Sequence, residues 1–575
     1  MKTIPFALLV SLTLAGCTPR PSADKMFESL AGNYIQNALE MNPEWATALG
    51  DHRYDSRMND YSQVGIEAQR KLTMVYLDSL GSITESELSP VNRIDFDILR
   101  TNLQGQLFQI DTMREYEWNP QIYNPGGAIY VLIAREFAPL RERLNSIRGR
   151  LGQIPGVVAA AKENLKNPTR IHTETTIDQL AGTISLIRDD LSALPGPTPE
   201  MKADLAPYQA EAIRALEEYS RWLKTDVLPR ATGDFRIGDD RFRRKLAFSL
   251  ESDFTKEQIL SRAETDLAET QTALYETALA LYPGLFSKKS GTQPRGDHNA
   301  VIKAVLGKLA DSHPTNADVV DRAKADLKEA TDFVRSHNLV SVPEEPVKVI
   351  VMPEYQRGVA TAYCDAPGAL EKNGETFFSI SPAPSSWTKQ RVESYFREYN
   401  DYMLKDLTIH EGMPGHYLQL ALANRFKAST MVRAIYGSGT FIEGWATYAE
   451  QFMAEQGFGG PGVKMQQLKM RLRLIINAIL DQKIHTAGMT ESEAMDLMMK
   501  EGYQEEGEAA GKWRRACLTS TQLSTYYVGN LELNRIRAAY ISKHGQSATL
   551  AGMHDAMLSF GSPAPKYVMQ SLGLQ

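Results

Sequence analysis

"LTIHEGMPGHYLQL", residues 407–420, opens like the HExxH helix of a zinc hydrolase, but its second histidine falls two residues late. In HExxH the histidines are four apart, about 40° apart around a helix, and face one metal. His410 and His416 are six apart, which on an ideal helix is about 240° and the wrong face. Gly412, Pro414 and Gly415 lie between them. Pro414 has no N–H to bond the carbonyl of His410, and its ring clashes there. Looping out two residues would absorb about 200° and return the offset to about 40°. Glycine tolerates the backbone angles that this requires. The expectation is therefore geometric: the helical ladder breaks between Gly412 and Gly415, and the two imidazoles converge.

Catalytic zinc takes neutral imidazoles, usually with a carboxylate, and keeps one position open for water. Glu411 stands where HExxH enzymes keep their general base, immediately after the first histidine. A third ligand is sought downstream in "FIEGWATYAEQF" (441–452), which offers Glu443 and Glu450, seven apart and on one helical face. Glu443 lies among apolar neighbours, where a carboxylate is costly unless paired or metal-bound. Glu450 reads as a solvated helix carboxylate and Trp445 as a core residue.

Outward from this stretch the chain reads as mainly α. Amphipathic patterns cover 26–41, 63–82, 90–113, 135–165, 174–193, 199–227, 255–282 and 300–337, and resume from 389 to the end. "LPGPTP" (194–199) is a breaker and "SKKSGTQPRGDHN" (287–299) an exposed loop. Near residue 340 the character changes. "VKVIVMP" (347–353) and "ETFFSISP" (375–382) read as two strands of a small sheet feeding the motif helix. The second strand is expected to pair with an extended substrate, through Phe378 and Ser379.

Length alone allows roughly three or four domains. The patterning gives an N-terminal helical domain (25–340) and a region with the sheet, motif helices and C-terminal helices (341–575). At the start, "MKTIPFALLVSLTLAGCTPR" has Lys2, an apolar run from Ile4 to Leu14, then Leu-Ala-Gly-Cys. The run is too short to span a bilayer and reads as a signal peptide (1–16), with Cys17 lipidated and 17–24 a tether. Thr18, rather than Asp, after the cysteine points to the outer membrane, facing the periplasm. No later run suggests a second membrane segment. The other two cysteines, Cys364 and Cys517, read as unpaired. A net charge of −7, from 63 basic and 70 acidic residues, with no basic cluster among aromatics, excludes a nucleic-acid partner on composition.

"HEGMPGH" followed by "EGWATYAE" resembles the bacterial family catalogued as domain of unknown function 885. "NPEWATALGDHRYDSRMNDYS", "YQRGVATAYCDAP" with "FFSISP", and "RACLTSTQLSTYYVG" (515–529) are similar to its other ordered motifs, so the resemblance spans nearly the whole mature chain. Thr519-Ser520 departs from a proline common there in the family. The resemblance implies a helical, gluzincin-like zinc-peptidase architecture. It makes His410, His416 and Glu443 the Zn2+ ligands, Glu411 the base, and Arg515 with Tyr526 the oxyanion-stabilising groups. Tyr527 is the alternative to Tyr526 and a candidate substrate contact. The expected activity is zinc-dependent hydrolysis of short peptides. Two other readings share the site: a binding lipoprotein that keeps the fold without turnover, and an amidohydrolase acting on a non-peptide amide. Oligomeric state is left open by the sequence.

Overall fold

Helix follows the apolar periodicity along nearly the whole chain. The computed structural model describes residues 21–286, 296–352, 361–371, 374–384 and 387–574. The signal peptide, Cys17 and most of the expected 287–299 loop lie outside the described residues. The first helix, Ala23–Met41, is capped by Ser22, whose hydroxyl accepts from the Lys25 N–H. Gln63–Gly81, Pro90–Phe108, Pro199–Trp222 and Lys256–Leu285 follow where the pattern places them. Two expected long helices are subdivided. The 135–165 pattern is split into Leu140–Leu151 and Ile154–Asn164, after a separate helix Gly126–Ala134. Pro139 and Pro155 sit at the two new starts, where a missing N–H costs nothing. The 300–337 pattern is cut into His298–Leu309 and Val319–Ser336, with Pro314 between.

The sheet has three strands, one more than expected: β1 (Val347–Val351), β2 (Ala362–Asp365) and β3 (Thr376–Ile380). Their order is β1-β3-β2, with β1 parallel and β2 antiparallel to β3, Cys364 facing Phe378. C-terminal to the sheet, six helices frame one region: α1 (Asp401–Glu411), α2 (His416–Ala423), α3 (Gly439–Glu455), α4 (Gly460–Ala487), α5 (Glu506–Leu518) and α6 (Ser524–His544).

One apolar core, around Ile129, Leu151, Leu180, Leu216 and Tyr219, belongs to residues before 230 alone. Others are shared across residue 340. Phe242, Leu246 and Ile259 pack with Ile475, Ile479 and Val528, and Leu274 with Val301, Met465 and Leu472. Helix α4 is consequently buried on most of its circumference, including polar positions such as Lys469, Arg473 and Asp481. A helix enclosed all round can hold charges only if partners are built in. Cys364 and Cys517 are unpaired. No described helix is long and apolar enough to cross a membrane.

Candidate metal centre

The backbone of the opening stretch breaks where its proline and glycines require. Helix α1 starts at Asn400, whose side chain accepts from the Tyr402 and Met403 N–H groups. At its end the Gly412 and Met413 N–H groups both donate to Thr408 O, at 3.0 and 3.2 Å. Gly415 N–H then reaches Ile409 O at 2.9 Å, six residues back instead of four, and Gln419 N–H to Gly415 O restores the regular step. Two surplus residues are thereby looped out. The result is two helices meeting at a tight turn, α1 ending at Glu411 and α2 beginning at His416, rather than one bulged helix. Gly415 is required by space: a Cβ there would lie 2.0 Å from the His410 carbonyl oxygen. Trp445 Nε1 donates to Pro414 O at 2.8 Å and ties the turn to α3.

The imidazoles converge. His410 Nε2 and His416 Nε2 lie 3.8 and 3.4 Å from the same oxygen, Oε2 of Glu443. One atom from each of the three side chains falls within 4.8 Å of the others. Glu443 comes from the first turn and a half of α3, a helix capped by the Ser438 hydroxyl. Gly444 next to it packs backbone-to-backbone on Gly529 of α6, where a Cβ on Gly444 would meet Gly529 at 2.6 Å. This crossing carries Tyr526, one turn before Gly529, toward Glu443.

Glu450 corrects the sequence reading. It is 1% exposed, and its Oε1 lies 2.5 Å from His410 Nδ1. A carboxylate on Nδ1 fixes the tautomer that leaves Nε2 free as a ligand, the usual outer support of a metal-binding histidine. One turn before His410, burial together with the neighbouring Glu450 raises the Asp406 carboxyl well above the usual range. Burial disfavours charge on His410, yet Glu443 and Glu450 outweigh it and raise its pKa well above the ordinary value. Burial opposes ionisation of Glu443 too, but the two imidazoles hold it below the usual carboxylate range. Carboxylates gathered in this way favour positive charge at the point of convergence, a proton or a metal ion. Glu443 Oε2 and His416 Nδ1 have no hydrogen-bond partner. Two imidazole nitrogens and one carboxylate oxygen fit a catalytic zinc donor set.

Glu411 stands apart from the three. Its Oε2 accepts the backbone N–H of Cys364 in β2 at 2.9 Å, and burial raises its pKa, opposed by His410 and His416. Tyr526 and Tyr527 separate cleanly. The Tyr527 hydroxyl donates to Asp266 at 2.9 Å in the core, 1% exposed, and belongs to packing. Burial and then the charge of Glu443 raise the Tyr526 hydroxyl, which accepts from Arg515 Nη2 at 3.1 Å. Arg515 also donates to Gln522 at 2.9 Å. The expectation for Phe378 and Ser379 is not met: both are 0% exposed, in the central strand, which is paired on both sides. Among the described residues both β1 and β2 are edge strands, and it is the unpaired side of β2 that carries the Cys364 N–H facing Glu411. Sequence reasoning missed Glu450, whose seven-residue spacing from Glu443 was the available signal, and β2 itself.

No curated protein matches the sequence. A solved structure from Shewanella oneidensis, described as a candidate lipoprotein of unknown function, aligns with a TM-score of 0.81 at 32% identity, covering 96% of this chain and all of that one. A second candidate lipoprotein, from Colwellia psychrerythraea, aligns at 0.79 and 18% identity, over 96% and 99% of the two chains. Metallocarboxypeptidase 1 of Trypanosoma cruzi aligns at only 0.36 and 11% identity, over 96% and 95%, too remote to bear on function. The profile of the family described as "Bacterial protein of unknown function (DUF885)" matches residues 43–572, and the chain belongs to that family.

Proposed function

We propose that this protein is a zinc-dependent metallopeptidase that hydrolyses short peptides, anchored in the bacterial envelope by a lipid on Cys17 and facing the periplasm from the outer membrane. The observation that carries the reading is the convergence of His410, His416 and Glu443 with Glu411 beside them but not among them. Zinc bound by the three would supply Lewis acidity, acidifying water and polarising a carbonyl. Glu411 then has the part of proton carrier. Held through Oε2 by the Cys364 N–H, it keeps Oε1 to take a proton from water and pass it to the leaving nitrogen. A carboxyl with a raised pKa suits a group that gains and loses a proton within one cycle. Tyr526, held by Arg515, donates its hydroxyl to the oxygen on which negative charge develops. The unpaired side of β2 offers main-chain partners to an extended peptide.

The test combines elemental analysis with turnover. Purified protein should carry about one zinc per chain and cleave a short-peptide library. Glu411→Gln should keep the zinc and lose the cleavage. Protein that binds no metal at His410, His416 and Glu443 would end the reading.

A further inference from the structure

Helix α5 places further charged groups beside the proposed zinc ligands, and the chemistry above leaves them unused. Glu508 and Lys512 lie one turn apart on the same face. Helix α4 adds Lys469 and Arg473, and the helix Lys389–Glu398 adds Glu398. Glu398 is 4% exposed and accepts from Lys469 at 2.8 Å and from Arg473 at 2.6 Å. Glu508 accepts from the Tyr399 hydroxyl at 3.2 Å and lies 3.7 Å from Arg473. Both carboxylates are therefore engaged. Lys512, half-buried, makes no hydrogen bond and no ion pair among the described residues. Burial lowers its pKa to about 8, with Glu508 and Glu443 opposing and Arg515 and Arg473 assisting. Three cations (Lys469, Arg473, Lys512) thus meet two carboxylates (Glu398, Glu508), while Glu443, a third carboxylate facing Lys512, lies against His410 and His416, and Arg515 adds another positive charge at the rim. A buried ammonium without a counter-ion in contact is costly, and a bound anion lowers the cost.

The position of this charge relative to β2 says which anion. Thr361, just before β2, interacts with Tyr399, the partner of Glu508, while Cys364, near the other end of the strand, touches Glu411. Three residues of strand cover about 10 Å. A peptide lying along β2 with its scissile bond at Glu411 therefore brings one end, a few residues on, to Lys512. Excess positive charge repels a terminal ammonium and attracts a terminal carboxylate.

We propose that Lys512, with Arg515 beside it, binds the free α-carboxylate of a short peptide lying along β2, so that cleavage proceeds from the C-terminus. The release of C-terminal fragments rests on the peptidase reading; the carboxylate site itself does not. In each turnover the amide C–N bond breaks, water supplies hydroxyl to the acyl carbon, and its proton goes to the departing amine.

The experiment uses matched short peptides ending in a free carboxylate or an amide, with an amidated peptide ending in Asp as a third arm. Hydrolysis is measured on the zinc-loaded full chain, and binding by calorimetry on the chelator-treated full chain. The free acid should exceed its amide by about 100-fold in kcat/KM, mostly through KM, and should also bind the metal-free protein more tightly. Lys512→Met should shrink the preference to about threefold or less, and Lys512→Arg should restore most of it. Equal handling of acid and amide by the unsubstituted protein overturns the assignment without recourse to any variant. An amidated Asp peptide that matches the free acid overturns it in favour of a reader of acidic side chains. If no peptide is cleaved while the metal-free protein still prefers the acid, the peptidase reading fails and the carboxylate site stands. Cleavage without the preference is the reverse result.

Discussion

Arg150 in the N-terminal bundle and Asp406 one turn before His410 are both buried charged residues, 0% and 1% exposed. Arg150 is fully used: its guanidinium donates to Arg57 O at 3.0 Å, Ala128 O at 2.5 Å, Thr47 Oγ1 at 2.5 Å and Pro43 O at 3.4 Å. Neither oxygen of Asp406 has a hydrogen-bond partner. The contrast extends beyond these two. Among the described residues, fifteen of nineteen buried side-chain polar atoms without a partner lie beyond residue 340, and they include Glu443 and Glu450. Buried polar groups are normally satisfied, so a concentration of exceptions marks where the fold tolerates a cost for chemistry. The N-terminal bundle buries charge to join helices, and the C-terminal region buries it around a point in space.

Substitutions on either side should separate activity from stability. The largest effect is expected for Glu411→Gln, a loss of about 10³-fold in kcat with zinc content unchanged and little shift in Tm. Arg150→Met should behave oppositely. Three carbonyls and a hydroxyl would lose their donor, costing about 3 kcal/mol of unfolding free energy while kcat holds. An Arg150→Met protein of normal stability, or a Glu411→Gln protein that still turns over, would erase the distinction.

The adjacent tyrosines repeat the comparison at closer range. Neighbours on a helix point about 100° apart, so only one of Tyr526 and Tyr527 can face the site. Tyr526→Phe should lower kcat by about 100-fold, as removal of an oxyanion donor does. Tyr527→Phe, which loses the bond to Asp266, should leave kcat alone and cost about 1 kcal/mol of stability. Equal kinetic effects would refute the assignment. Glu450→Gln is expected to be milder, weakening zinc affinity about 10–100-fold by loosening His410 at Nδ1. Titration with a competing chelator measures it.

The same pairs explain what was legible in the sequence. His410 and His416 could be read because spacing, a proline and two glycines constrain the local backbone, and local backbone is what sequence encodes most directly; Glu443 was read from its apolar neighbours and from the family resemblance. Helix α3 displays Glu443 and Glu450 on one face, but which of them meets water depends on what α1 and α6 bring against it, a tertiary fact. Phe378 and Ser379 were misplaced for a related reason. "ETFFSISP" reads correctly as a strand, yet the order β1-β3-β2 puts it in the middle, and the four-residue β2 that takes the open side is too short to stand out. The divided 135–165 helix was legible in principle, since Pro139 and Pro155 were both in view.

The smallest expected effect on turnover comes from one of the four exceptions before residue 340. Glu251 follows helix Asp239–Leu250 with φ +48°, has an unpartnered Oε2, and lines a cavity of about 430 Å³ with Tyr34, Gln106 and Tyr436. Burial pushes its carboxyl up from 4.5 to about 7, with Lys566 pulling it down and Asp97 up. The folded pKa exceeds the unfolded one, so the folded chain holds more protons between those values and stability falls as pH rises through the window. The penalty is absent below pH 4.5 and complete above pH 7. Glu251→Gln cannot ionise and escapes it. The variant should match the parent in Tm near pH 4 and exceed it at pH 8, by up to about 3 kcal/mol in unfolding free energy. Unlike Glu411→Gln, it should leave turnover untouched, because this carboxyl lies with the packing of the bundle and not with the converging ligands. A stabilised but inactive Glu251→Gln protein would mean that the cavity communicates with the metal centre, and that the functional region reaches further toward the N-terminus than the unpaired polar atoms indicate.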